Sequence, residues 1–285
     1  MKSNIRASLR GLKVVSFESR RAKEMAELIR RYGGEPITAP SLREVPLGEN
    51  RLALEFFPEL EAGKYHFLIL MTGIGTRTLN AVLLTKFPQE RIVSALRKTH
   101  LVARGPKPVA ALKELALIPS FTVPEPNTWR EVLSTLDGSA VIDGTRMAVQ
   151  EYGISNPKFV AALERRGAAV TTIPVYRWAL PEKLAPLQQT IRQIVDGRVE
   201  VVLFTNGAQV DHLLRVAAGD NLEDALRAGF ARVVIGSVGP VCTQVLRELA
   251  LTPDLEPIHP KMGSLVAEAA ASAGKILAAK RTVQQ

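Results

Sequence analysis

Two hundred and eighty-five residues, 46% hydrophobic and 23% charged, suffice for two domains of ordinary size, each with a buried core. The 37 Lys and Arg against 28 Asp and Glu leave a net charge of +9, which favours anionic partners. The basic residues are dispersed, without the polybasic run or zinc-finger spacing of a nucleic-acid reader. The lone Cys242 excludes an intramolecular disulfide, and no apolar stretch reaches the length of a signal-peptide core or a membrane span. A cytoplasmic protein without nucleic-acid or membrane partners is expected, with disorder confined to Met1–Arg10 and to the tail after Ala279.

Short β-branched runs alternate with amphipathic stretches. Leu12–Phe17 predicts a buried strand. Ala22–Tyr32 predicts a helix, with Met25, Leu28 and Ile29 on one stripe and Gly33-Gly34 as its stop. Pro36–Val45 reads as extended, the region of Phe57–Leu60 as helical, and His66–Met71 as a strand. A glycine turn, Thr72-Gly73-Ile74-Gly75, then leads to a helix over Arg77–Lys86. Further strands are expected at His100–Ala103, Phe121–Val123, Ala140–Ile142, Val170–Ile173, Val201–Phe204 and Val233–Ile235. Helices are expected at Val160–Arg166, Val210–Ala217 and Val241–Leu249. Such alternation implies parallel sheets covered on both faces.

Two features suggest an internal duplication. A strand, a small-residue turn and a helix occur at Leu70-Met71-Thr72-Gly73 and again at Leu203-Phe204-Thr205-Asn206-Gly207. Each is followed by a strand and a Gly-Pro turn opening a helix, at Ala103-Arg104-Gly105-Pro106 and Ser237-Val238-Gly239-Pro240. Proline-flanked extended segments near 37–46 and 174–181 are candidate hinges. If both connect the same two bodies, one domain is discontinuous, comprising 1–38 and 178–285, and the other spans 39–177.

Among the residues that could carry chemistry, His66, His100, His212 and His259 show no metal-ligand spacing. Gly73-Ile74-Gly75-Thr76-Arg77-Thr78 lacks the third glycine of a dinucleotide fingerprint. What recurs is a strand end, a turn of small residues and a helix start, a geometry that offers backbone N–H groups and a positive helix end to carboxylates. Arg20, Arg77, Arg104, Arg146 and Lys261 are placed at or just past predicted strand ends or glycine turns, either as anion ligands or as ordinary surface charges.

The series Phe204-Thr205-Asn206-Gly207-Ala208-Gln209-Val210, Val238-Gly239-Pro240 and His259-Pro260-Lys261-Met262-Gly263-Ser264-Leu265 resembles the uroporphyrinogen-III synthase family. So does Ile173-Pro174-Val175-Tyr176-Arg177. In the first half, Met71-Thr72-Gly73-Ile74-Gly75-Thr76-Arg77 and Ala103-Arg104-Gly105-Pro106-Lys107 are similar to a bacterial branch of it. The resemblance implies two flavodoxin-like α/β domains joined by a two-stranded extended linker, with the active site in the cleft between them. It implies a monomer that needs no cofactor or metal and acts on hydroxymethylbilane, a linear tetrapyrrole with eight carboxylates. Closure with inversion of ring D gives uroporphyrinogen III. The family's hinge tyrosine matches Tyr176, implying a general acid. Implied substrate contacts are Arg20, Thr72, Gly73, Arg77, Arg104, Gly105, Arg146, Thr205, Asn206, Gly207, Ala208, Gly239, Pro240, Lys261, Met262 and Gly263. Where the family commonly has Thr-Ser after the strand, this chain has Thr205-Asn206, with Thr72-Gly73 as the first-half counterpart. Val241-Cys242-Thr243 also replaces threonines common after the Gly-Pro turn. The residues leave open a non-catalytic regulatory module binding a tetrapyrrole or another polyanion on the same scaffold.

Overall fold

A computed structural model of the chain describes residues 8–47, 50–138, 141–153 and 155–283. In chain order its elements are β1 (Lys13–Ser16), α1 (Ala22–Arg31), β2 (Glu35–Thr38), β3 (Arg43–Pro46), α2 (Arg51–Glu61), β4 (Phe67–Leu70), α3 (Gly73–Leu84) and α4 (Gln89–Arg97). There follow β5 (His100–Ala103), α5 (Pro106–Lys113), β6 (Phe121–Thr122), α6 (Trp129–Asp137), β7 (Arg146–Gly153), α7 (Pro157–Glu164) and β8 (Ala169–Ala179). The last are α8 (Ala185–Val195), β9 (Val201–Phe204), α9 (Gly207–Gly219), α10 (Glu223–Phe230), β10 (Val234–Ser237), α11 (Pro240–Glu248) and α12 (Met262–Val283). The chain divides into two compact units, Met1–Arg43 with Ala179–Gln285, and Glu44–Trp178.

The first unit holds a parallel sheet in the order β10-β9-β1-β2, and Leu255 makes a parallel bridge to Gly236 on β10. Numbered along the chain, this is the order 2-1-3-4-5 of doubly wound sheets of the flavodoxin type. Successive strand residues point to opposite faces and bury both. Val15, Val202 and Phe204 pack with residues of α8 to α11, while Val14, Val201 and Leu203 pack with residues of α1 and α12. Each such fully buried apolar side chain contributes about 1.5–3 kcal/mol. α1 turns Met25, Ala26 and Ile29 inward, sets Arg30 and Arg31 in its last turn against the negative helix end, and stops before Gly33 at φ +75°.

The second unit holds the order β3-β8-β7-β4-β5-β6, parallel from β8 to β6. β3 pairs only with β8. Leu68 and Leu70 pack on one face with residues of α2 to α4, and Phe67 and Ile69 on the other with residues of α6 and α7.

Four sequence expectations need correction. The strand placed at Ala140–Ile142 lies instead at Arg146–Gly153; Ala140 falls outside the described residues and Val141 is 79% exposed. β7 escapes an apolar-run search because Gln150, with its amide hydrogen-bonded, and Glu151 interrupt it. Thr72-Gly73-Ile74-Gly75 is not a turn preceding a helix: α3 starts at Gly73, and its glycines answer close packing. Leu9, expected to be disordered, is fully buried, and its N–H donates to Tyr32 O at 2.7 Å. Residues 1–7 of that expected disorder lie outside the described residues. α12 continues past Ala279, and Lys280 Nζ binds Val233 O at 2.6 Å and Asp254 at 2.7 Å.

Candidate functional site

At the carboxyl end of the second unit's sheet, β4 ends at Leu70 and Thr72 caps α3 in an extended conformation. The Thr72 hydroxyl oxygen accepts Gly75 N–H at 3.0 Å, and Thr72 N–H donates to Gln150 Oε1 at 3.4 Å. Gly73 is required by proximity: a Cβ there would lie 2.4 Å from the Lys107 carbonyl oxygen on α5. At Gly75 a Cβ would lie 2.1 Å from Gln150 Nε2. Gln150 is fully buried, and its amide nitrogen donates to Glu151 O.

β8 stays paired with β7 as far as Arg177, and its buried Tyr176 brings a hydroxyl within 3.4 Å of Thr72 Oγ1. A register shift between Glu151 and Gly153 on β7, with Gly153 at φ +68°, lets the Trp178 ring pack where a Cβ would stand. Two sequence candidates on different elements, Tyr176 and Thr72, thus meet. Beside them the β5–α5 turn places Arg104, whose N–H donates to Leu70 O at 3.1 Å, and Gly105, where a Cβ would meet Asn127 at 2.9 Å.

Two arginines sit differently from expectation. Arg77 lies past the first turn of α3, and its guanidinium forks onto Glu114 at 2.6 and 2.8 Å, holding that carboxyl below the usual range. Arg146 is the first residue of β7, so it occupies the amino end of the sheet, opposite the turns. There it pairs with Glu59 at 3.0 Å and lies 4.8 Å above the Tyr65 ring. The strand expected at Ala140–Ile142 put Arg146 just past a strand end, whereas the strand at Arg146–Gly153 sets it at the opposite pole.

The first unit repeats the arrangement. Asn206 caps α9, accepting Ala208 N–H at 2.9 Å, and forms a capping box with Gln209. Gly207 is packed so that a Cβ would lie 2.6 Å from Val245 on α11. Thr205 Oγ1 donates to Glu18 Oε2 at 2.5 Å. Gly239 and Pro240 open α11, with Gly239 close enough to Pro260 that a Cβ would stand 2.6 Å from it. Lys261 is exposed just before α12, whose first residues are Met262 and Gly263; Arg20 is exposed just before α1. The cap positions align Asn206 with Thr72, so the counterpart of Thr205-Asn206 is Met71-Thr72 and not Thr72-Gly73.

Sequence reading missed Glu18, Gln150 and Gln209 as parts of these turns. Gln209 had a signal in the Asn-x-x-Gln spacing of a capping box, whereas Gln150 and Glu18 had none. Burial pushes the Cys242 thiol up to about 11, so it stays protonated and is a poor nucleophile. Among the described residues no cluster of His, Cys, Asp or Glu could hold a metal ion, and no helix is long and apolar enough to cross a membrane. His212 is structural, its Nδ1 2.8 Å from Ser41 O. Chemically, each unit offers the first turns of two helices at the carboxyl end of its sheet, a setting suited to carboxylates. The second unit adds a tyrosine hydroxyl.

Comparison with known proteins follows this geometry. A Bacillus subtilis (strain 168) protein named uncharacterized protein YjjA is 30% identical over 265 residues, covering 92% of this chain and 96% of its own length. A mutant uroporphyrinogen III synthase from Thermus thermophilus superimposes with a TM-score of 0.67 at 24% identity, over 96% of this chain and 99% of that one. The wild-type Thermus thermophilus enzyme gives 0.53 at 26% identity, over 96% and 98%. The model of the uroporphyrinogen-III synthase HemD family matches residues 23–267, and the chain therefore belongs to that family.

Proposed function

We propose that this chain is a working uroporphyrinogen-III synthase, converting hydroxymethylbilane to uroporphyrinogen III and water. The observation that carries the reading is the Tyr176 hydroxyl, held on β8 at 3.4 Å from the α3 cap residue Thr72. It puts a proton donor beside a helix start that favours carboxylates. The reaction is a dehydration without net oxidation or reduction, so it balances with no cofactor.

Tyr176 donates its proton as the C–O bond of the hydroxymethyl group breaks, releasing water and leaving an electrophilic azafulvenium cation beside the phenolate. The substituted carbon of ring D attacks it, and the resulting spiro intermediate fragments. Ring D then recloses inverted, and the proton lost on rearomatisation returns to the phenolate. Substrate carboxylates bind at the turns containing Thr72-Gly73 and Arg104-Gly105, and at those containing Thr205-Asn206-Gly207-Ala208 and Gly239-Pro240, with Arg20 and Lys261-Met262-Gly263 beside them. Because uncatalysed closure gives the uninverted ring, holding the chain in the folded-back geometry supplies much of the selectivity.

The test generates hydroxymethylbilane in situ and separates the oxidised porphyrin isomers. Type III is expected to dominate over the enzyme-free control, and Tyr176→Phe is expected to lower kcat by about 10-fold, less than the roughly 10²–10⁴-fold usual for general acid catalysis because positioning supplies much of the rate. Type I alone, from folded protein, would replace this reading with that of a tetrapyrrole- or polyanion-binding regulatory module.

A further inference from the structure

The contact between the Thr72 and Tyr176 hydroxyls can run in either direction, and its direction decides the role of Thr72. The backbone N–H, the carbonyl and one lone pair of the hydroxyl oxygen of Thr72 are committed. Its N–H donates to Gln150 Oε1 at 3.4 Å, and its carbonyl accepts from Thr76 N and Thr76 Oγ1, both at 2.9 Å. Its Oγ1 accepts Gly75 N–H at 3.0 Å as the cap of α3. What remain are the hydroxyl hydrogen and a second Oγ1 lone pair; the hydrogen needs an acceptor, and the Tyr176 oxygen at 3.4 Å is placed to take it. The geometry is fixed from both sides. Thr72 is pinned by the cap and by buried Gln150, and Tyr176 by burial in the second unit's core.

We propose that Thr72 donates its hydroxyl hydrogen to the Tyr176 oxygen and is thereby a positioning residue for the catalytic acid. A donor on that oxygen stabilises the phenolate over the phenol and makes Tyr176 the stronger acid. It also directs the tyrosine's own hydrogen away from Thr72. A contact of 3.4 Å is long for two hydroxyls, and it is expected to shorten as the substrate binds. The kinetic part of this proposal rests on the synthase reading above, whereas the direction of the hydrogen bond does not.

Two measurements test it. The first follows tyrosinate absorbance with pH in the wild type and in Thr72→Ala, each referenced to its Tyr176→Phe counterpart so that only Tyr176 is read. If Thr72 donates, its removal shifts the Tyr176 transition to higher pH; if it accepts, the shift is to lower pH, and the proposal is overturned. Thr72→Ser, which keeps both the cap and the donor, should titrate like the wild type and guards against misfolding of Thr72→Ala. The second measurement is a kinetic cycle. Thr72→Ala should lower kcat by about 10-fold with KM changed less than about 2-fold, and Thr72→Ser should restore it. In the Tyr176→Phe background the same change should cost less than about 2-fold. An equal cost in both backgrounds would show that Thr72 acts only by capping α3, and would overturn the proposal. An upward titration shift in a protein that makes no type III product would sink the synthase reading while upholding the donor.

Discussion

The two units solve one problem with the same side-chain chemistry placed on opposite partners. In each, an amide bridges the end of the sheet's central strand to the N–H groups that open the next helix. In the first unit that amide belongs to Gln209 on α9. Its oxygen accepts Thr205 N–H at 2.8 Å and Asn206 N–H at 3.3 Å, and its nitrogen donates to Phe17 O at 3.2 Å. In the second unit it belongs to Gln150 on β7, reaching Thr72 N–H from the other side. Strand pairing makes the positions correspond. Gln150 lies opposite Leu70, the last residue of β4, as Phe17 follows Ser16 opposite Leu203 and stacks on Phe204, the last residue of β9, at 4.9 Å. Gly75 and Gln209 are each the third residue of their helix. One unit therefore pairs Phe with Gln and the other Gln with Gly, conserving one amide and one large side chain's space. Position, not residue identity, is what the two halves share.

The topology has the same character. In the first unit β1-α1-β2 precedes the rest of the sheet, whereas in the second its equivalent, β7-α7-β8, comes last. The second sheet, with β3 set aside, is the first one circularly permuted. A direct alignment of the two halves therefore finds only the shared middle, β4 to α5 against β9 to α11.

The sharpest way to break this correspondence is to move one unit's solution into the other. Gly75→Gln alone should destabilise the second unit by about 2–4 kcal/mol, because it forces a second amide into buried space already filled by Gln150. Adding Gln150→Phe recreates the first unit's pair and should recover at least about half of that loss, since contacting residues couple. Both tryptophans, Trp129 and Trp178, lie in the second unit, so fluorescence in urea reads this unit alone. No recovery in the double variant would mean the positions are not equivalent.

A smaller difference separates the glycines that open α3 and α9. Gly73→Ala should cost about 2 kcal/mol, because it meets a backbone carbonyl that can move only with α5. Gly207→Ala should cost somewhat less, about 1–2 kcal/mol, because it meets the stiff side chain of Val245, whose Cβ would lie 2.7 Å away, and not a backbone atom. Exposure of buried Cys242 to a thiol reagent reads the first unit as the tryptophans read the second.

The smallest effect is in acid. In the second unit, hydrogen bonds from Lys64 and Arg146 hold Glu59 below the usual carboxylate range. Arg91, Arg77 and Arg166 do the same for Glu61, Glu114 and Asp137. In the first unit only Glu24, paired with Arg21, is held so among the described carboxylates. A carboxyl depressed by folding contributes stability above its unfolded value of about 4, and that contribution is lost as pH falls through the folded value. From about pH 5 to 3 the second unit's urea midpoint should therefore fall further than the first's, modestly because every pair is exposed. A pyridyl disulfide, reactive in acid, reports Cys242 over that range. Parallel decline in both units would show that these pairs contribute nothing.

Much of this architecture is legible in the residues. Val14-Val15, Leu68–Leu70 and Val201–Phe204 announce strands because burial on both faces demands continuous apolar runs, and the paired Gly-Pro turns mark α5 and α11. β7 was missed at its true position because a buried glutamine looks polar until its partners are known. α12 was missed because its long alanine-rich stripe carries weak periodicity. Tyr176 and Thr72 were each singled out by resemblance to a family, but nothing in the linear order says that β8 carries one hydroxyl to the other.

The sequence by itself determined the alternation of strands and helices, the helix-opening turns and the family, because these depend on local periodicity, backbone preference and residue order. Tertiary structure alone decided which end of the sheet Arg146 occupies, which residue supplies each bridging amide, and that Tyr176 meets Thr72. Those outcomes depend on strand register and on atoms brought together from positions 104 residues apart in the Tyr176–Thr72 pair and 192 apart in the Gln209–Phe17 pair, and no local preference encodes them.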